Sequence, residues 1–110
     1  MPLVTANKGA TSTEVFDQVL ARLPQIVAEE LSCPEGVLTP KDIEVQVRFE
    51  NSRDIHNHRL GIIIEANDYP NRRVNLDERR RKIVERVGVL AGDEQGYVWV
   101  RLSPGSYGEF

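Results

Sequence analysis

The sequence predicts an α+β fold in which two βαβ units follow one another, giving a four-stranded mixed sheet with two helices on one face. Three observations predict it. Asp42 to Glu50 alternates strictly, with Ile43, Val45, Val47 and Phe49 on one side and Glu44, Gln46, Arg48 and Glu50 on the other, the period of a half-buried strand. Val15, Phe16, Val19, Leu20, Leu23, Ile26, Val27 and Leu31 recur with the helical period and form a stripe suited to packing on a sheet. The elements run strand, helix, strand, strand, helix, strand along the whole chain, without a linker, low-complexity segment or residue-level repeat.

The elements take shape in order. Leu3 to Ala6 reads as a short strand ended by Asn7-Lys8-Gly9. Thr11 and Glu14 then stand at capping-box spacing and open the first helix. Pro24 falls inside that helix, where it is expected to kink or split it at a cost of about 3 kcal/mol. Ser32 to Gly36 closes the helix, and Leu38-Thr39-Pro40 makes a turn. A polar loop from Asn51 to His58 separates the second strand from a more uniformly apolar third, Arg59 to Ala66, which the composition places inside the sheet. Asn67 to Asn71 is a turn cluster. Asn75 caps a second helix with Glu78 three residues on and Ile83, Val84, Val87 and Leu90 as its buried stripe. Tyr97 to Leu102 is the fourth strand, and Ser103 to Phe110 an irregular tail. The second sheet face bears Glu44, Gln46 and Arg48 and either Tyr97, Trp99 and Arg101 or their neighbours; a mixed face of this kind is either solvated or, as its aromatics suggest, in contact with another subunit.

Bulk composition narrows the function. A chain of 110 residues, 40% hydrophobic and 28% charged with a net charge of −3, is expected to fold as one domain over residues 1–110. The slight acidic excess argues against a nucleic-acid binder. The longest apolar run, Leu60 to Ile64, is far too short to span a membrane, and nothing after Met1 resembles a signal peptide. A single cysteine, Cys33, matches a reducing compartment. A cytoplasmic protein is the expectation.

The start of the chain carries the sharpest chemical signal. Proline is a small second residue, so loss of Met1 would leave Pro2 as a secondary amine on a rigid ring at the end of a strand. Such an amine is a general base once burial or nearby cations lower its pKa. Pro2 equally suits the plain start of a strand, where its missing N–H does no harm.

Three features together resemble the tautomerase superfamily, which includes oxalocrotonate tautomerase, macrophage migration inhibitory factor and carboxymethyl-hydroxymuconate isomerase. They are the Met1-Pro2 start running directly into a strand, the doubled βαβ layout, and the segment Asn71-Arg72-Arg73-Val74-Asn75-Leu76-Asp77-Glu78-Arg79 before the second helix. The ending Tyr107-Gly108-Glu109-Phe110 is similar to the tail of small bacterial members. The resemblance implies a homotrimer with its sheets forming a barrel-like core. It implies catalysis without a cofactor or metal, with Pro2 as general base interconverting keto and enol forms of a small anionic acid. It further implies arginines that hold the substrate carboxylate and stabilise the enolate. Arg73 occupies the place of the family's arginine before helix two, with Arg72 a near substitute. On the second strand the family arginine is expected near Glu44, whereas this chain places Arg48 further along; a two-residue step moves a side chain roughly 6.6 Å. Arg48 and Arg101 complete the candidate anion-binding set.

Other features point elsewhere. His56 and His58 have chelating spacing, but a polar loop without a clear third ligand is the simpler reading. Arg79-Arg80-Arg81-Lys82 points around most of a helix and, interleaved with Asp77, Glu78 and Glu85, reads as a solvated salt-bridged surface. Cys33 reads as a helix-end residue. The rival for the whole chain is a non-catalytic ferredoxin-like binding or regulatory module, which shares the βαββαβ order.

Overall fold

The computed structural model describes residues 2–55, 58–106 and 108–110. The expectations that involve Met1, His56 and Tyr107 lie outside the described residues. The elements are β1 (Leu3–Lys8), α1 (Thr13–Leu31), β2 (Glu44–Phe49), β3 (Leu60–Asn67), α2 (Pro70–Arg73), α3 (Leu76–Ala91) and β4 (Gly96–Ser103), with a 3-10 turn at Pro40–Asp42 before β2. The α+β class, the mixed sheet and the tandem βαβ arrangement are as the sequence predicts.

Sheet order separates the two readings of the βαββαβ pattern. The strands run β2-β1-β3-β4, with β1 parallel to β2, β3 parallel to β4, and β1 antiparallel to β3. Each βαβ unit therefore keeps its two parallel strands side by side. A ferredoxin-like split βαβ would insert another strand between them. The ferredoxin-like topology is thus ruled out.

The core lies between the sheet and the helices. Val4, Ala6, Ile62, Ile64 and Ala66 point to the helical side, where they meet Phe16, Val19, Leu23, Ile26, Val27 and Leu31 of α1 and Ile83, Val87 and Ala91 of α3. Arg86 joins the helices across the top, contacting Glu29 at 2.7 Å and Glu30 at 3.1 Å. Hydrogen bonds from Arg86 and then Gln25 hold the Glu29 carboxyl below its ordinary pKa.

Four local expectations change in the folded chain. The α1 cap is Ser12, not Thr11: Ser12 is extended, and its Oγ accepts the Val15 N–H at 3.2 Å. The Glu94 carboxylate accepts the Ser12 N–H, and Thr11 is buried with its own N–H on the Arg59 carbonyl. Pro24 does not split α1, which is continuous from Thr13 to Leu31. The buried stripe on both sides of Pro24 holds the helix together despite the lost hydrogen bond. Asn75 begins α3 without a side-chain cap, because its Oδ1 instead accepts Arg79 Nε at 2.7 Å. Finally, the Tyr69-Pro70-Asn71 turn cluster contains the start of a separate short helix, α2, with proline at its favoured first position.

Glycines at the β3–β4 pairing show how closely the strands approach. A Cβ on Gly96 would lie 2.5 Å from the Leu60 carbonyl oxygen, a backbone atom that cannot swing aside. Gly96→Ala is expected to cost about 1–3 kcal/mol in chemical denaturation. Gly88, on an exposed turn of α3 with nothing near its Cβ position, should behave oppositely. Gly88→Ala is expected to stabilise by about 0.5–1 kcal/mol. A loss at Gly88 or a neutral result at Gly96 would contradict these contacts.

Candidate active site

Pro2 precedes β1, a central strand, in a position where proline interrupts no ladder hydrogen bond. It is buried, and its carbonyl accepts the Glu44 N–H at 3.2 Å. By side-chain alternation it shares the helical side of the sheet with Val4 and Ala6. Continuing the pairing of Leu3 with Glu65 brings Pro2 opposite Ala66. Pro2 therefore sits where the beginnings of β1 and β2, the end of β3 and the C-terminal side of the sheet's helical layer meet.

Arg101 reaches this end of the sheet. In one row across the outer face stand Glu44, Leu3, Glu65 and Arg101, and Arg101 Nη2 lies 3.1 Å from Glu65 Oε1. Arg101 is more than half exposed, so its guanidinium retains donors for an anion. Beside this row a depression of about 200 Å³ is lined by Leu3, Glu65, Asn67, Ser103 and Ser106.

Arg48 stands elsewhere. It pairs across the sheet with Asn7, four residues beyond the Leu3–Glu44 row, a displacement of roughly 13 Å along the strand. There it lines a separate hollow with Asn7, Phe49 and Tyr97. Within one protomer Arg48 does not join Pro2.

Arg72 and Arg73 are neighbours in sequence with opposite surroundings. On the single turn of α2, successive residues point about 100° apart. Arg73 is exposed, with Nε 2.8 Å from Asp68 Oδ1, and borders a shallow surface with Val74 and Asn75. Arg72, at 1% exposure, is turned inward. Its Nε donates to the Leu31 carbonyl at 2.9 Å, Nη1 to Asn67 at 2.9 Å and Nη2 to Gly36 at 3.4 Å. Its guanidinium carbon lies 5.1 Å from the centre of the Tyr69 ring. This is a correction to its expected role in substrate binding: the donors of Arg72 serve the fold, and no face of the side chain is open to a ligand. Burial pushes its pKa down from the ordinary value, but a guanidinium remains charged.

Sequence reasoning missed the residues that frame this arrangement. Arg79, read as part of a solvated basic run, donates through Nη1 to the Glu30 and Ser32 carbonyls, both at 2.8 Å, and through Nη2 to Asn71 at 3.2 Å. Arg72 and Arg79 thus satisfy the carbonyls left open at the C-terminal end of α1, whose last turn carries no basic residue of its own. Glu35 accepts two hydrogen bonds from Asn71, and the side-chain bond holds its carboxyl below the usual range. The signal available in sequence was Tyr69-Pro70, a helix-start pair that resembles any turn. Arg81 does form the expected helix-surface pair with Glu78.

A cleft of about 400 Å³ lies at the opposite end of the sheet, where Leu60, Ile62, Val87, Ala91 and Val98 form apolar walls. It contains none of the candidate arginines. His58 stands at its rim with its ring edge-on to Tyr97 at 5.4 Å. Among the described residues, no three His, Cys, Asp or Glu side chains gather as a ligand set. Cys33 is buried just after α1, as a helix-end residue. No helix of the described residues is long and apolar enough to cross a membrane.

With this geometry in view, known structures place the fold. A malonate semialdehyde decarboxylase superimposes with a TM-score of 0.67 at 8% identity, over 97% of this chain and 91% of its own. A macrophage migration inhibitory factor from Trichinella spiralis gives a TM-score of 0.64 at 12% identity, over 98% and 95%. A fused 4-OT, described as a symmetric trimer, gives 0.62 at 13% identity, over 93% and 85%. The chain has the tautomerase fold. No protein-family model and no curated protein matches the sequence. At identities of 8–13% the likeness is one of fold.

Proposed function

We propose that the protein is a tautomerase-like isomerase whose single domain, residues 1–110, interconverts keto and enol forms of a small carboxylate-bearing acid. In this reading, removal of Met1 frees the Pro2 nitrogen as a secondary amine. Its lone pair takes a proton from the carbon beside the substrate carbonyl, or from the enol oxygen in the reverse direction. The resulting ammonium returns the proton at the other position, so base and acid are the same group and no cofactor is required. The enolate formed between the two transfers needs fixed cationic donors.

The observation that carries this proposal is the placement of Pro2, buried at the start of a central strand and beside the row that contains Arg101. Arg101, at the same end of the sheet but on its outer face, is the cation offered for the substrate carboxylate, and Arg73 is a second exposed donor on the connection from β3. Arg48 enters this scheme from a neighbouring protomer, since its own strand carries it away from Pro2. The homotrimer belongs to the same reading. The outer sheet face supports assembly, because Trp99 is 61% exposed beside Ile63 and Thr5 on a face that no helix covers. Cytoplasmic enzyme, trimeric, acting on small anions and not on nucleic acid or membranes, is the resulting picture.

Two measurements test it together. Light scattering should give the mass of three 12.5 kDa chains, and intact mass spectrometry should find Met1 removed. With both in place, the protein should ketonise phenylenolpyruvate or hydroxyphenylpyruvate. A retained Met1 would block the amine and end the mechanism; a monomer would remove the route by which Arg48 reaches the site.

A further inference from the structure

The cleft of about 400 Å³ lies away from Pro2 and has no part in the proposed reaction. Its walls are Leu60 and Ile62 of β3, Val98 of β4, and Val84, Val87 and Ala91 of α3. Two lining positions carry no side chain and leave the space open. Gly96 pairs with Leu60 at the start of β4, and Gly88 lies on the turn of α3 between Val84 and Ala91. β4 is the last strand in the sheet order, so the cleft opens at a sheet edge.

The two glycines differ in what they permit. Strand pairing requires glycine at position 96, where a Cβ would meet the Leu60 carbonyl oxygen at 2.5 Å. Nothing lies within 4 Å of the Cβ position of Gly88, so packing sets no bar to a larger residue there. Glycine nevertheless weakens a helix interior relative to alanine. Val84 is 42% exposed at the same margin. Close packing ordinarily fills such a space, whereas an apolar hollow of this size with a few polar groups at its mouth suits a small molecule. A cavity of about 150 Å³ accepts benzene, so this one has room for a two-ring body.

The mouth decides the sign of the ligand. His58, Glu94 and Gln95 stand there. Both carboxylate oxygens of Glu94 are engaged: Oε1 accepts the Ser12 N–H at 3.3 Å, and Oε2 lies 2.8 Å from Arg59 Nε. An amine would therefore find no free carboxylate. His58 meets the Tyr97 ring edge-on at 5.4 Å. Among the described residues, the His58 ring and the Gln95 amide make no hydrogen bond, so each has an N–H to donate.

We propose that this cleft is a binding site for a small carboxylic acid with a compact apolar body, which fills the space over Gly88 while its carboxylate accepts from His58 and Gln95 at the mouth. The site is separate from Pro2 and stands whether or not Pro2 is a base.

The test uses 2-naphthoate as the acid and 2-naphthylmethylamine as its cationic counterpart, titrated into the full chain by calorimetry and by ¹H–¹⁵N NMR. The acid should give saturable shifts centred on Leu60, Val87, Gly88 and Val98, and should bind at least about tenfold more tightly than the amine. Gly88→Leu, which places a side chain in the space, should weaken the acid by about tenfold or more with Tm no lower than wild type. His58→Ala should weaken it by about threefold or more through the lost donor. The proposal is overturned by equal affinity for acid and amine, by shifts confined to the Pro2 end of the sheet, or by the absence of saturable binding. Undiminished affinity in folded Gly88→Leu also overturns it. If Gly88→Leu does not fold, Val84→Glu decides, because a carboxylate on that exposed margin should repel the acid: weakened binding supports the site, and unchanged binding overturns it.

Discussion

Replacing Pro2 with alanine is expected to lower kcat/KM for phenylenolpyruvate ketonisation by about 100-fold or more, the range that a positioned general base contributes. Alanine still supplies an N-terminal amine with an ordinary pKa near 8, so the loss measures orientation more than basicity. The proline ring fixes its nitrogen against β1, and the Glu44 N–H holds the Pro2 carbonyl. A primary amine on alanine keeps that backbone bond but can rotate its lone pair away. The KM should change less than kcat, because the arginines that hold the anion are untouched. Equal rates for the two proteins would remove Pro2 from the chemistry. No rate in either would leave the tautomerase fold as a non-catalytic scaffold.

The second large effect concerns two adjacent isoleucines on opposite faces of β3. Ile64 is fully buried between Val4 and Val100 on the helical side. Ile64→Ala should cost about 2–5 kcal/mol, through lost burial and the cavity left behind. For a chain of this size that corresponds to a fall in Tm of about 10–20 °C. Ile63 lies between Thr5 and Trp99 on the outer face. Ile63→Ala should change the stability of a single protomer by less than about 1 kcal/mol but lower the mass seen in solution at low concentration. Calorimetry and light scattering on both variants separate the faces. Equal destabilisation at the two positions, with unchanged mass, would mean that the outer face is not an interface.

Much of the fold was legible because its signals are local. The apolar run of β3 and the helical stripe of α1 follow from which side chains must leave water, and each appears where the period places it. The alternation in β2 marks a strand, but its expected buried side holds only at Ile43 and in part at Val45, with Val47 and Phe49 exposed. The α3 stripe was right at Ile83 and Val87 and wrong at Val84, which is 42% exposed at the margin of the cleft. The caps were less legible. Thr11, Ser12 and Thr13 can all cap a helix, and contacts from Arg59 and Glu94, more than forty residues away, select Ser12. Pro24 shows the opposite relation: a strong local preference is overridden by the apolar surface buried on either side of it.

For the candidate site the division is sharper. The sequence by itself determined that a proline begins a strand, that a doubled βαβ chain follows, and that arginines lie before the second long helix and on the second and fourth strands. It could not determine which arginines point where. Arg72 and Arg73 have the same chemistry and adjacent positions, yet one is buried on three carbonyls and the other is exposed beside Asp68. Only the tertiary structure decided this, since the acceptors of Arg72 include Leu31 and Gly36, distant in the chain and brought together by packing of α1 against the sheet. The same holds for Arg48, whose separation from Pro2 is set by the β1–β2 register. Periodicity records burial along one element, whereas the partner of a charged side chain depends on which free carbonyls and carboxylates other elements bring to it.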